Sequence, residues 1–255
     1  MVTGAAAILK AIEGATPQKK LSPQQIKNFL INSGDAIATD QPIGGRRLNI
    51  LCAVQKVLPS PRIMEDNFNT DSFDCGRWDL TVVPAGVGTV KDTNQELEMT
   101  RITPASSSYQ GLATRCSVTG DFDVQVDYKL LNWPPQNFYT VRLAAKDLPD
   151  GQFGQVGVYR NSYGNENYQF RSQRPILQVS TPDSSGTMRL TRTGLMVSGS
   201  YSNGGSFIPI GSALSSSSNT GFVIDFATPS PTSPLNVAIA FDNFKVNAGT
   251  VVCPQ

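Results

Sequence analysis

The 255-residue chain contains no histidine. A Ser-His-Asp or Cys-His catalytic site therefore cannot be assembled from this polypeptide alone, nor can a His-ligated zinc site. Charge is scarce at 16% of residues and nearly balanced, with 21 Lys and Arg against 20 Asp and Glu. That balance offers no bulk attraction for nucleic acid or an anionic membrane. No apolar run is long enough to span a bilayer, and the start lacks a basic segment leading into an apolar one, so no membrane span and no secretion signal are expected. The four cysteines, at 52, 75, 116 and 253, match no CxxC motif. If oxidised they permit three pairings, among which sequence does not choose. One disulfide within the C-terminal part and buried free thiols both stay open.

Aromatic residues are nearly missing from the first sixty positions, where Phe29 stands alone. Seven basic and three acidic residues precede position 61, and the remainder is net negative. Both properties shift near Leu58-Pro59-Ser60-Pro61, which divides the chain into residues 1–60 and 61–255.

The first part reads as helical. Ala5, Ile8, Leu9 and Ile12 recur at helical spacing. Ser22-Pro23-Gln24-Gln25 offers an N-cap serine, proline at the first helical position and a capping-box glutamine. Ile26, Phe29 and Leu30 follow on one face, and Gly34 supplies a stop. After a turn at Gly44-Gly45, a third stretch from Leu48 to Leu58 repeats the pattern. Sixty residues is near the lower limit for independent folding, so these narrow stripes are expected to pack on something beyond the chain.

Several patches here resemble the C-terminal end of subtilisin-like serine proteases: Val2-Thr3-Gly4-Ala5-Ala6-Ala7-Ile8-Leu9-Lys10, Leu21 to Lys27, Gly34-Asp35, Gly45-Arg46-Arg47-Leu48-Asn49 and Ala53-Val54. The resemblance implies that Val2 and Gly4 end the Gly-Thr-Ser-Met-Ala-x-Pro-x-Val-x-Gly nucleophile motif. The nucleophile would stand shortly before Met1, with the triad's Asp and His further upstream. It implies an N-terminal protease domain missing from this chain, serine-dependent proteolysis in the intact parent, an extracellular setting, and no activity in the present chain alone.

From Glu65 onward the period changes to two. Phe122, Val124, Val126, Tyr128 and Leu130 alternate with Asp123, Gln125, Asp127 and Lys129. Similar runs occur at 139–145, 155–159, 167–171, 188–192, 222–226 and 237–241, separated by turns such as Pro149-Asp150-Gly151 and Asn203-Gly204-Gly205. Many strands with short turns predict a mainly β, antiparallel jelly-roll sandwich, preceded by the helical remnant. In the last strand Val237, Ile239 and Phe241 share a face, but Phe244 and Val246 fall on the other unless Asp242-Asn243 forms a bulge.

This part resembles the concanavalin A-like, lectin/glucanase-type jelly rolls. The resemblance is carried by Glu65-Asp66-Asn67-Phe68-Asn69 with Trp78, Gly120 to Val124, Met188 to Arg192, Gly199 to Gly205, and Phe241-Asp242-Asn243-Phe244. That family includes sugar binders, adhesion modules and inert spacers, so a polysaccharide or cell-surface glycan is the implied partner and a stand-alone lectin-like or structural module is the alternative. No paired-carboxylate signature of a glycosidase is present. The candidate ligand-binding residues are Trp133, Tyr139, Arg142, Arg160, Tyr163 and Tyr168, with Tyr159 and Arg171 in the same window, because aromatic faces stack on sugar rings while fixed polar groups orient hydroxyls. Tyr163 is the one expected in an exposed loop, and Trp78 is expected in the core. Asp66 and Asp242, near domain ends that adjoin in such jelly rolls, are the candidate ligands of a structural calcium.

Overall fold

The structure, a computed structural model, describes residues 2–15, 20–32, 35–36, 46–47, 50–57, 64–70, 74–83, 87–102, 108–135, 137–149, 155–162, 165–172, 176–216, 218–228 and 236–253. Helices α1 (Val2–Ala15), α2 (Pro23–Asn32) and α3 (Ile50–Val57) occupy the first part, with a short ladder of β1 (Asp35–Ala36) and β2 (Arg46–Arg47) between the last two. The α2 capping box forms as its residues dictate. The Gln25 amide donates to Ser22 Oγ at 3.2 Å, and the Ser22 amide donates to Gln25 Oε1 at 2.8 Å.

The three helices bury a small cluster among themselves: Ala5, Leu9, Leu21, Ile26, Leu30, Ala53 and Val57. Ile8, grouped with the inner stripe by its spacing, is instead 44% exposed, because the small Ala5 and Leu9 occupy the contact line. Ile31 and Ile50 are exposed as well. The Phe29 side chain, Gly34, Gly44-Gly45 and the boundary at 58–61 lie outside the described residues. The helical part is tied to the rest through Cys52–Cys75, and the Cys75 amide donates to Gln55 Oε1 at 3.1 Å. A second disulfide joins Cys116 to Cys253, and no cysteine is free. The single-disulfide and free-thiol expectations are therefore both corrected.

Alternation of apolar and polar residues builds the remainder. The strands are β3 (Glu65–Asp66), β4 (Trp78–Val83), β5 (Gly88–Thr93), β6 (Glu96–Arg101), β7 (Ser108–Thr114), β8 (Ser117–Asn132), β9 (Thr140–Pro149) and β10 (Gln155–Asn161). They continue with β11 (Asn167–Arg171), β12 (Leu177–Ser180), β13 (Ser185–Thr193), β14 (Met196–Ser202), β15 (Ile208–Leu214), β16 (Phe222–Thr228) and β17 (Ala238–Val252). One sheet of seven strands runs β12-β11-β10-β9-β16-β7-β4, and an eight-stranded sheet runs β15-β14-β13-β8-β17-β6-β5 with β3 paired to β17. All of these pairings are antiparallel. Val124, Val126 and Ile239 from one sheet meet Leu143, Val158 and Ile224 from the other in a single continuous core.

The parity break in β17 is a bulge. The register with β8 shifts between Asp242 and Lys245, and Asn243 takes φ 48°. That one extra residue lets Phe241 and Phe244 both point into the core. Trp78 is also core, edge-on to Phe244 at 4.8 Å, and its Nε1 donates to Asp66 Oδ2 at 2.8 Å.

Candidate ligand-binding face

On the central strand β16, Phe222, Ile224 and Phe226 enter the core, which turns Val223, Asp225 and Ala227 to the outer side of the seven-stranded sheet. Registration then carries one row across that face. Asp225 stands opposite Gly111 of β7 and Arg142 of β9, Arg142 opposite Tyr159 of β10, and Tyr159 opposite Gln169 of β11. The Arg142 Nε donates to Asp225 Oδ2. Asp225 is fully buried, whereas the Arg142 side chain keeps 16% exposure.

Rings flank these charges. The Arg142 guanidinium carbon lies 5.4 Å from the Tyr109 ring centre and 5.9 Å from that of Tyr159, and the Arg171 guanidinium lies 4.3 Å from Tyr159 on its other side. Tyr109, Arg142, Tyr159 and Arg171 thus form a ladder of alternating rings and cations over β7, β9, β10 and β11. Arg171 Nε and Nη2 both donate to Gln169 Oε1, at 2.9 and 2.7 Å. Small residues let the ladder lie close to the backbone. A Cβ at Gly111 would stand 2.5 Å from the Asp225 Cβ and 2.7 Å from the Ile224 carbonyl oxygen.

Burial pushes the Asp225 carboxyl up to about 6, against the opposing pull of Arg142 and Tyr109. Burial disfavours the charge of Arg142 too, but Asp225, Tyr159 and Tyr109 more than compensate and hold it charged. The difference follows from access: the arginine retains some water, whereas the carboxylate has none. Burial also raises Tyr109 and Tyr159, so both hydroxyls stay neutral. The acid Asp79 shares this face but lies on β4, two strands from β16, in the row that contains Val223. Strand spacing and rise put the two backbones roughly 12 Å apart, beyond the separations used by either class of glycosidase.

The residues singled out from sequence divide between two sides of this sheet. Arg142 is on the outer face, together with Tyr159 and Arg171. Tyr139 and Tyr168 are fully buried in the core, where Tyr139 stacks on Phe226 and Tyr168 on Tyr201. Arg160 is 2% exposed and bonds to the Asp183 carbonyl and to Glu166 Oε2 at 2.5 Å. Trp133 packs against the core and donates its Nε1 to the same Glu166 carboxylate at 3.2 Å. The joint grouping of Trp133, Tyr139, Arg142, Arg160 and Tyr168 as one ligand surface is thus corrected, since strand parity sends neighbouring aromatics to opposite faces. Tyr163 lies outside the described residues.

Asp66 and Asp242 do sit near adjoining ends, since Asp66 pairs with Phe244. Asp66 uses Oδ2 for Trp78 and Oδ1 for the Phe68 amide at 2.9 Å. Burial, with Asp127, Glu96 and Asp66 nearby, raises the Asp242 carboxyl despite the Asn243 amide. Among the described residues no three His, Cys, Asp or Glu side chains are arranged to hold a metal ion, and these donors do not make up a calcium site. The sequence reading passed over Tyr109 and Asp225, although an acid inside the otherwise uncharged Phe222–Thr228 marks a polar group in a doubly buried strand.

A family model described as the C domain of a protein of unknown function, DUF1583, matches residues 60–208. No curated protein matches. Among solved structures, the chain is similar to a Bacillus subtilis protein of unknown function with a galectin-like fold, at 14% identity and a TM-score of 0.51, covering 76% of this chain and 99% of that one. It is also similar to a glycoside hydrolase family protein from Mycobacterium thermorestibile, at 13% identity and TM-score 0.50, over 72% and 99% of the two chains. The GH43 protein BlXynB from Bacillus licheniformis matches at 11% identity and TM-score 0.55, over 71% of this chain and 38% of that one. These likenesses establish the lectin- and galectin-like sandwich.

Proposed function

The chain belongs to the family described as protein of unknown function (DUF1583) C domain, and we propose that its sandwich is a carbohydrate-binding module acting through the outer face of the seven-stranded sheet. The ladder of Tyr109, Arg142, Tyr159 and Arg171 carries this reading. Rings held rigid by flanking guanidiniums, with amide and guanidinium donors between them, are the groups that stack on and orient sugar rings. Two of the similar structures are described as a glycoside hydrolase family protein and a GH43 protein, and a third as galectin-like, which supports a sugar ligand. A single buried carboxylate without a partner acid across the face favours binding over hydrolysis. The test is retention of the full chain on a panel of insoluble polysaccharides. Retention on at least one polymer, weakened in Y109A, is expected, and no retention on any would sink the proposal.

We infer further that the helical part derives from the C-terminal end of a subtilisin-like serine protease whose catalytic domain lies outside this chain. Its support is the run of sequence patches between Val2 and Val54, since the family match begins at residue 60. Proteolysis then belongs to the parent, with the sandwich holding it on a glycan. The two disulfides agree with an oxidising, extracellular setting. Genomic sequence read in frame upstream of Met1 should encode Gly-Thr-Ser-Met-Ala, and a stop codon immediately upstream would refute the assignment.

A further inference from the structure

We propose that the sugar recognised on this face is acidic: a uronic acid unit whose carboxylate docks on the Arg142 and Arg171 guanidiniums while its ring lies against Tyr109 and Tyr159. The proposal rests on the carbohydrate-binding reading and specifies its ligand class. Within the ladder two guanidiniums face one carboxylate, so the site carries a net positive charge that a neutral sugar would leave uncompensated. Asp225 does not cancel Arg142 as a donor. It engages the Nε edge, and the two terminal nitrogens of Arg142 make no hydrogen bond with a described residue. Those nitrogens form the planar edge that matches a carboxylate with two parallel bonds. Because Asp225 is fully buried it serves as a positioning residue, setting the guanidinium plane between the two rings.

Arg171 extends the same surface. Its Nε and Nη2 are fixed by Gln169, which orients the guanidinium flat over Tyr159 at 4.3 Å. Both cations are thus locked before a ligand arrives, which limits the rotamer entropy lost on binding. Partial withdrawal from water strengthens their attraction for an anion relative to that of freely solvated arginines.

The test uses the full chain and oligogalacturonate, titrated calorimetrically as the free acid and as its methyl ester, with a neutral oligosaccharide and a sulfated glycan as further arms. Esterification removes the charge while keeping the sugar backbone. The free acid should bind about tenfold more tightly than the ester, the increment expected of one charge-assisted pair. Its affinity should fall as salt rises from about 0.05 to about 0.5 M. R171Q should lower affinity for the acid by about the same factor and leave the ester unchanged. R142Q/D225N, which removes both halves of the buried pair together, should abolish the preference for acid over ester while thermal unfolding stays cooperative. Equal or tighter binding of the neutral sugar or the ester, insensitive to R171Q, overturns the acidic assignment and leaves the carbohydrate reading standing. Tighter binding of the sulfated glycan than of the free acid overturns the uronate assignment. Binding of none of the four overturns the acidic-sugar proposal, and retention on the polysaccharide panel then decides separately whether the broader reading survives.

Discussion

The Asp225 carboxyl gives the sharpest test of how this face is built. Its burial is complete, and its pKa stands at about 6 against an ordinary value of 3.8. The folded state therefore holds the Asp225 proton more tightly than the unfolded chain does. Its contribution to stability is fully present below pH ~4 and is lost as pH rises through about 6. Two pH units correspond to about 3 kcal/mol. The groups facing Asp225 are Arg142, Tyr109 and, through Arg142, Tyr159, and none of them titrates in that window, because Arg142 stays charged and both tyrosines stay neutral. The perturbation is D225N, which keeps the shape and removes the titration. Urea unfolding of both proteins across pH 4 to 7 isolates this group in the difference between them. The wild-type advantage over D225N should shrink by about 3 kcal/mol from the acid to the neutral end. A difference that grows with pH would refute the reasoning, since it would mean that Arg142 holds the carboxylate below its ordinary range.

Other perturbations probe neighbouring parts of the structure. G111A places a methyl 2.5 Å from the Asp225 Cβ with backbone behind it, and should cost about 1–3 kcal/mol by urea unfolding while weakening glycan retention. C116S/C253S opens a loop of 137 residues and should cost up to about 5 kcal/mol, against about 3 kcal/mol for the 23-residue loop of C52S/C75S. The second pair also frees the helices from the sandwich, so its calorimetric scan should split off an early, weakly cooperative transition; a single unchanged transition would show that the small helical cluster does not depend on the tether. S22A removes the hydroxyl of the α2 capping box and should cost about 1 kcal/mol in that early transition.

Much of the sandwich was legible because its strands keep one face in a core. Phe122 to Leu130 and the runs beginning at 139, 167 and 222 fall where period two places them. Even the β17 bulge was readable, since Phe241 and Phe244 are both too apolar to leave outside. The helical stripes were legible in kind but not in detail, because spacing alone does not tell Ile8 from Leu9 on a helix with alanines beside both. The binding face was harder to read for a physical reason. Aromatic and arginine residues are equally at home in a core with one polar anchor and on a buried outer face, and only register separates the two. Tyr139 and Tyr159 look alike as sequence, yet one belongs with Phe226 and the other with Arg142 and Arg171. The disulfides were not legible at all, since pairing depends on which loops the fold brings together.

Register also supplies the argument that the ladder exists for a ligand rather than for stability. The outer row next to Asp225 is apolar and small, with Ala113, Val223, Ala144 and Gly157 in register across four strands. An apolar pair at 142 and 225 would continue that surface without burying any charge. Replacing a buried ion pair by well-packed apolar residues is commonly neutral or stabilising, because two desolvation costs disappear along with one attraction. The fold therefore has no energetic need of Arg142 and Asp225, and glycine at 111 is required only to make room for the carboxylate beside it. A costly charged pair, a glycine that accommodates it and rings on both sides of its guanidinium are coherent only if the exposed edge of that guanidinium has something to hold.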